Sequence, residues 1–245
     1  MSDGLPPPPA VLAEVFPAAR TDLVLAYAEL LATDGVVRGL IGPRETPRLW
    51  ERHLINCGLM AAALPADATL ADVGSGAGLP GLVLAIARPD VQVTLIEPLL
   101  RRTTFLEEAV ERLGLDNVVV TRGRAEAVHG VATFDVVTAR AVAALDKLAA
   151  WCMPLVAPHG ALLAMKGSSA ADEVAAAEDQ CRRLGCAPAV IEELGADLAT
   201  RGEIEPIRVV RLTWADPAPV SLPLRGQRDP RDRRTAPSRR KRRKS

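Results

Sequence analysis

The chain has 245 residues, of which 49% are hydrophobic and 3% aromatic, with 30 basic and 30 acidic side chains. That length suits one α/β domain with extensions and a large aliphatic core, and it leaves too few rings for a multi-ring stacking surface for RNA. No apolar run is long enough to span a membrane, and the four cysteines (Cys57, Cys152, Cys181, Cys186) form no C-x-x-C pair, which argues against a zinc site or a disulfide framework. Residues Met1 to Ala10 carry Asp3 and a run of prolines rather than the basic and apolar regions of a signal peptide, so a cytoplasmic protein is expected. The zero net charge hides an asymmetry. Residues 225–245 hold 11 Lys and Arg against 2 Asp, and subtracting these from 30 and 30 leaves 19 basic and 28 acidic residues before them. A basic tail on an acidic body suits a polyanion.

In chain order, the first 66 residues read as a helical extension. Apolar residues recur at helical spacing over 11–16, 21–32 and 47–64, punctuated by Pro17, Gly35 and Gly42-Pro43. Thr46-Pro47 reads as a cap and first helical position. From residue 67 to 216 short β-rich runs alternate with helical ones. Strands are predicted at 70–73, 92–96, 118–121, 135–139, 161–166, 189–193 and 207–214. Helices are predicted at 79–88, 101–113, 145–155 and 170–184, with Gly114 and Gly185 as left-handed stops. Alternation implies parallel strands with right-handed crossovers. The last two strands lack a helix-length connection and are expected to pair antiparallel at the sheet edge. Residues 217–245 form the basic tail, expected to be disordered.

The densest signal is Leu70–Gly81, L-A-D-V-G-S-G-A-G-L-P-G. It runs from an apolar strand through a glycine turn into a helix, and Gly76 to Gly81 satisfies G-x-G-x-x-G. Glu97, 19 residues beyond Gly78 at the end of the next strand, can clamp a ribose of either NAD or S-adenosylmethionine. Asp72 before the turn disfavours a pyrophosphate and favours an ammonium or sulfonium. Ala125-Glu126 after the third strand can read an adenine edge. The Lys-Ser/Thr of a nucleotide-triphosphate loop is missing.

These residues resemble the RsmG (GidB) family of 16S rRNA (guanine-N7)-methyltransferases. The likeness runs from about Arg20 to Trp214. It rests on the loop D-V-G-S-G-A-G-L-P-G, Arg52-His53-Leu54, Ile96-Glu97-Pro98, Arg101-Arg102, Phe105-Leu106, Ala125-Glu126, Ala139-Arg140-Ala141 and Met165-Lys166-Gly167. The resemblance implies a Rossmann-like class I methyltransferase: a seven-stranded, mostly parallel sheet with an antiparallel edge strand. It also implies S-adenosylmethionine as cofactor, and guanine 527 (standard 16S numbering) in the 530 loop as target. It maps Gly74, Leu79, Ala125, Glu126 and Arg140 to cofactor contacts and Glu97 to the ribose clamp.

Guanine N7 already bears an in-plane lone pair, so the site needs positioning rather than a base. Accordingly, no N/D-P-P-Y/F or Pro-Cys motif follows the fourth strand. The candidate site is therefore Arg140, Lys166 and His53 for the reaction. For the cofactor it is Asp72, Gly74, Gly76, Gly78, Leu79, Glu97, Ala125, Glu126 and Arg140. Arg140 faces the cofactor carboxylate, an RNA phosphate or guanine O6; Lys166 meets RNA backbone or base; His53 bonds RNA or cofactor, or is a satisfied structural histidine. His129 and His159 fall in loop-like contexts. The expected partner is 16S rRNA within a 30S subunit or precursor, acted on by a monomer. A methyltransferase of another RNA site or of a small molecule remains the alternative, and an NAD(P)-dependent oxidoreductase a weaker one.

Overall fold

In a computed structural model, residues 4–202, 204–218 and 220 are described. The expected basic tail lies, but for residues 217, 218 and 220, outside them.

Seven strands make one sheet in the order β3-β2-β1-β4-β5-β7-β6. They are β1 (Thr69–Val73), β2 (Gln92–Glu97), β3 (Val118–Arg122), β4 (Phe134–Arg140), β5 (Val156–Lys166), β6 (Val190–Leu194) and β7 (Ile207–Leu212). The first five run parallel. β7 lies antiparallel to both β5 and β6, so the reversed strand slots between them. β5 starts five residues earlier than expected, because residues 157–160 bulge out between its pairings with Phe134 and Val136. His159 therefore sits in an exposed part of a strand rather than in a loop.

The helices are α1 (Leu12–Val15), α2 (Thr21–Leu30), α3 (Asn56–Leu59), α4 (Gly81–Ala87), α5 (Leu100–Leu113), α6 (Leu145–Cys152), α7 (Ala170–Arg183) and α8 (Ala196–Thr200). α5 stops at Gly114, whose φ of 61° places it in the left-handed region that glycine adopts without strain. The expected long helix over 47–64 is instead broken into a 3₁₀ turn (Pro43–Arg48), a π-helical turn (Trp50–Ile55), α3 and a further 3₁₀ turn (Met60–Ala63). Thr46 is not a cap: Pro47 lies inside the turn that Pro43 begins. α8, a single turn between β6 and β7, has no counterpart in the sequence pattern.

Side chains alternate across a strand, so each strand feeds two cores. On β1, Leu70 joins the core formed with α2, α3, α4 and α5, whereas Ala71 and Val73 join the one formed with α6 and α7. The helical N-terminal residues are part of the first core: Tyr27, Leu31, Leu54 and Ile55 are buried with Leu82, Leu95 and Phe105. By the same alternation Asp72 faces that N-terminal layer. Strand order reverses between β1 and β4, and the carboxyl ends of those strands open the crevice in which such sheets hold ligands.

Candidate functional site

A cavity of about 670 Å³ occupies that crevice. Gly74 and Gly76 form its floor, with φ of 73° and 59°. A side chain at Gly74 would press on Val142, so the bare backbone leaves the space above the turn free. The main-chain N–H of Gly74 donates to Ile96 O at 2.8 Å, which ties the turn to β2. Leu79, followed by a cis peptide bond to Pro80, also lines the cavity.

Glu97 ends β2 on the cavity wall and is 1% exposed. Its Oε2 accepts from Gly76 N at 3.0 Å and Arg102 Nη1 at 3.4 Å, and its Oε1 accepts from Leu99 N at 3.0 Å. A carboxylate offers about four acceptor sites, so capacity remains for a ligand hydroxyl. Ala125 and Glu126 sit in a 3₁₀ turn after β3, the first buried and the second exposed at the cavity edge.

Asp72 and Gly78 are not on the cavity wall, a correction to their expected direct contact. Asp72 is fully buried beneath the loop because strand alternation turns it toward the N-terminal layer. Its Oδ2 accepts from Gly81 N at 2.9 Å, which holds the first turn of α4. Its Oδ1 has no partner. Burial pushes this carboxyl up to about 7. Gly78 is a packing glycine: a Cβ there would lie 2.5 Å from Leu82 Cδ1 and 2.8 Å from Tyr27 Oη. Tyr27, the chain's one tyrosine, donates from Oη to Ala77 O at 2.7 Å. Its place in an aliphatic helix was the only sequence signal for this loop anchor.

Arg140, at the end of β4, borders the cavity and also a second one of about 860 Å³. Its Nη2 donates to Arg52 O at 2.9 Å and to His53 Nδ1 at 2.7 Å, and its Nη1 donates to Cys57 Sγ at 3.3 Å. Three of its five N–H groups are thus committed within the protein, and two remain. His53 Nε2 lies 3.1 Å from Glu45 Oε2. Because Nδ1 accepts from Arg140, the neutral ring carries its proton on Nε2 and donates to Glu45. Burial, then the Arg140 charge, lowers the His53 pKa from its ordinary value. Cys57, fully buried, is pushed up to about 11 and stays a thiol.

The second cavity is lined by Arg52, Lys166 and Arg208 besides Arg140, against Glu173 and Glu205. It meets the first along Arg140, Ala141 and Val142. Lys166 is less free than expected: its Nζ donates to Glu173 Oε2 at 2.7 Å and Ala143 O at 3.0 Å, leaving one N–H. Among the described residues no group of three His, Cys, Asp or Glu is placed to hold a metal ion, and no helix is long and apolar enough to cross a membrane.

The model of the family described as GidB, rRNA small subunit methyltransferase G, matches residues 20–200. The chain belongs to the GidB family. The matched span contains the whole wall of the first cavity and all of the second except residues 205–208. Two relatives, both called ribosomal RNA small subunit methyltransferase G, agree. The one from Nocardioides sp. (strain ATCC BAA-499 / JS614) is 60% identical over 223 residues, covering 91% of this chain and 88% of its own. That from Salinispora arenicola is 54% identical, covering 89% and 94%. Among solved structures, M. jannaschii TYW2 in complex with AdoMet aligns with a TM-score of 0.52 at 15% identity, over 68% of this chain and 78% of that one. The mitomycin 7-O-methyltransferase MmcR aligns with a TM-score of 0.53 at 19% identity, over 80% and 66%. At those identities the likeness concerns the Rossmann-like methyltransferase fold, which this GidB chain shares.

Proposed function

We propose that this GidB-family chain transfers a methyl group from S-adenosylmethionine to N7 of guanine 527 in the 530 loop of 16S rRNA. The observation that carries the reading is the junction at Arg140. There a glycine-floored cavity with a buried ribose-type carboxylate meets a cation-lined one.

The residues fit the cofactor. Gly74 and Gly76 give a floor without side chains, Glu97 keeps acceptor capacity for ribose hydroxyls, and Ala125 with Glu126 borders the adenine end. Leu79 adds apolar wall. Asp72 acts from below: its bond to Gly81 holds the helix start, and when ionised its unpartnered Oδ1 supplies negative potential beneath the loop. When bound, S-adenosylmethionine supplies an electrophilic methyl group on a sulfonium.

The chain's own contribution is to hold and orient. Guanine N7 needs no proton removed, and His53, with Nδ1 turned to Arg140 and Nε2 to Glu45, is a support rather than a base. Arg140's two remaining N–H groups suit guanine O6 or a phosphate next to the cofactor. The one uncommitted N–H of Lys166, with Arg52 and Arg208, lines the path of the RNA. Positioning of this kind can supply several kcal/mol of the barrier.

In this reading residues 1–66 are an N-terminal extension whose Leu40, Ile41 and His53 wall the site, residues 67–216 form the methyltransferase domain, and the basic residues 217–245 add affinity for RNA. The protein acts as a cytoplasmic monomer on a 30S particle or precursor, because one short loop offers little surface for recognition. The test is mass-spectrometric mapping of methylated guanosines in 16S rRNA from cells with and without the gene, paired with methyl transfer in vitro to 30S particles and to naked rRNA. Loss of the modification at guanine 527 alone is the expected result. A methylguanosine lost elsewhere, or none lost, overturns the site assignment.

A further inference from the structure

We propose that Glu45 and His53 are positioning residues that aim the Arg140 guanidinium at the junction of the two cavities. The proposal rests on the methyltransferase reading above for its activity readout and on the hydrogen bonds alone for its structural one.

Two turns and a strand end converge here. Glu45 comes from the 3₁₀ turn Pro43–Arg48, His53 from the π-helical turn Trp50–Ile55, and Arg140 from the end of β4. Glu45 Oε2 accepts from His53 Nε2, and His53 Nδ1 accepts from Arg140 Nη2 at 2.7 Å. Glu45 also receives Arg52 Nη1 at 3.2 Å, while the main-chain oxygen of Arg52 takes another Arg140 proton. Glu45 is thus bonded to His53 and to Arg52, each of which accepts from Arg140. Glu45 itself lines neither cavity. Arginine side chains have many rotamers, and committing Nη2 twice restricts this one to a narrow orientation.

The arrangement works in one protonation state. Only a neutral imidazole has a lone pair on Nδ1 for Arg140. A protonated ring would set an N–H against an N–H, with two cations in contact, and would release the guanidinium. The charged groups acting on His53 are Arg140 and Arg52, which disfavour the proton, and Glu45, which favours it.

The experiment has two arms. In the first, the imidazole titrations are followed by NMR; with three histidines in the chain, His53 is assigned by substitution. Glu45→Gln should move the His53 midpoint to lower pH, and Arg140→Ala should move it higher. In the second, kcat/KM for methyl transfer to 30S particles is measured against pH. The acid limb of Glu45→Gln should shift to lower pH in step with the NMR midpoint. His53→Ala should lose roughly ten- to hundredfold in kcat/KM and lose that limb, as expected for a charged hydrogen bond removed. His53→Asn, which keeps an acceptor near the Nδ1 position, should recover most of the loss. A role in folding alone would lower activity evenly across pH. An acid limb or an NMR midpoint that stays fixed in Glu45→Gln overturns the proposal. If the wild-type protein transfers no methyl group to RNA, the functional reading fails, and the NMR arm still decides the positioning network.

Discussion

Asp72 is the most sharply testable residue in the fold. It is fully buried, receives one hydrogen bond from Gly81 N, and leaves Oδ1 without a partner. Burial moves its pKa from the ordinary 3.8 to about 7. A folded-state pKa above the unfolded one means that the folded protein holds its proton longer. The stabilisation is complete below about pH 4 and is lost as pH rises through 7. Carrying the carboxyl from one value to the other corresponds to about 4 kcal/mol. Asp72→Asn cannot ionise and keeps an acceptor for Gly81. It adds an amide with nowhere to donate, a pH-independent cost of about 1–3 kcal/mol. Denaturant unfolding of both proteins, without cofactor, should therefore show a stability difference that moves in favour of the Asn variant between pH 4 and 8, by up to about 4 kcal/mol. Other titrating groups cancel in the difference. Two curves that stay parallel across that range would refute a buried, uncompensated carboxyl at this position.

Four further outcomes follow from the same geometry. Glu97→Gln should weaken S-adenosylmethionine binding by about tenfold or more in calorimetry, because one acceptor oxygen becomes a donor; an unchanged Kd removes the ribose clamp. Tyr27→Phe should cost about 1 kcal/mol of stability and weaken cofactor binding, since the bond to Ala77 O holds the loop; loss of neither in paired denaturation and binding assays rules out the anchor. Gly81→Ala would place a Cβ 2.3 Å from Leu95 Cδ2 and 2.7 Å from Asp72 Oδ2, so thermal unfolding should reveal at least about 1–3 kcal/mol of destabilisation; a wild-type Tm contradicts that packing. Deleting residues 226–245 should leave cofactor affinity alone and flatten the log–log salt dependence of rRNA binding by about 0.7 for each phosphate contact removed; an unaltered slope denies the tail a role in binding.

Much of the architecture was legible in the chain because local patterns carried it. The strand and helix alternation from Leu70 onward, the stop at Gly114 and the antiparallel pairing of the last strands each follow from short-range periodicity, turn chemistry and connection length. The glycine turn and Glu97 were legible as a candidate site for the same reason: they lie within one strand–turn–helix–strand unit and line one cavity. Local pattern failed over residues 47–64, where apolar spacing suggested one helix and the chain forms short 3₁₀, π-helical and α-helical turns instead. It also misjudged β5, whose bulge depends on the register of its neighbour.

What residue types and spacing determined by themselves, then, is a mostly parallel sheet with a glycine-rich loop after its first strand and an arginine at the end of its fourth. Only the tertiary structure decided what those side chains face. Strand alternation fixes that Asp72 lies on one side of β1, but which layer covers that side is set by folding of residues far away in the chain. Tyr27 meets Ala77 across 50 positions, and His53 meets Arg140 across 87. Hydrogen bonds of that separation leave no periodic trace. Packing leaves Asp72 as a buried carboxyl beneath the loop, a local pair with Glu173 occupies Lys166, and His53, read from the sequence as a contact to RNA or cofactor or as a structural histidine, supports the arginine.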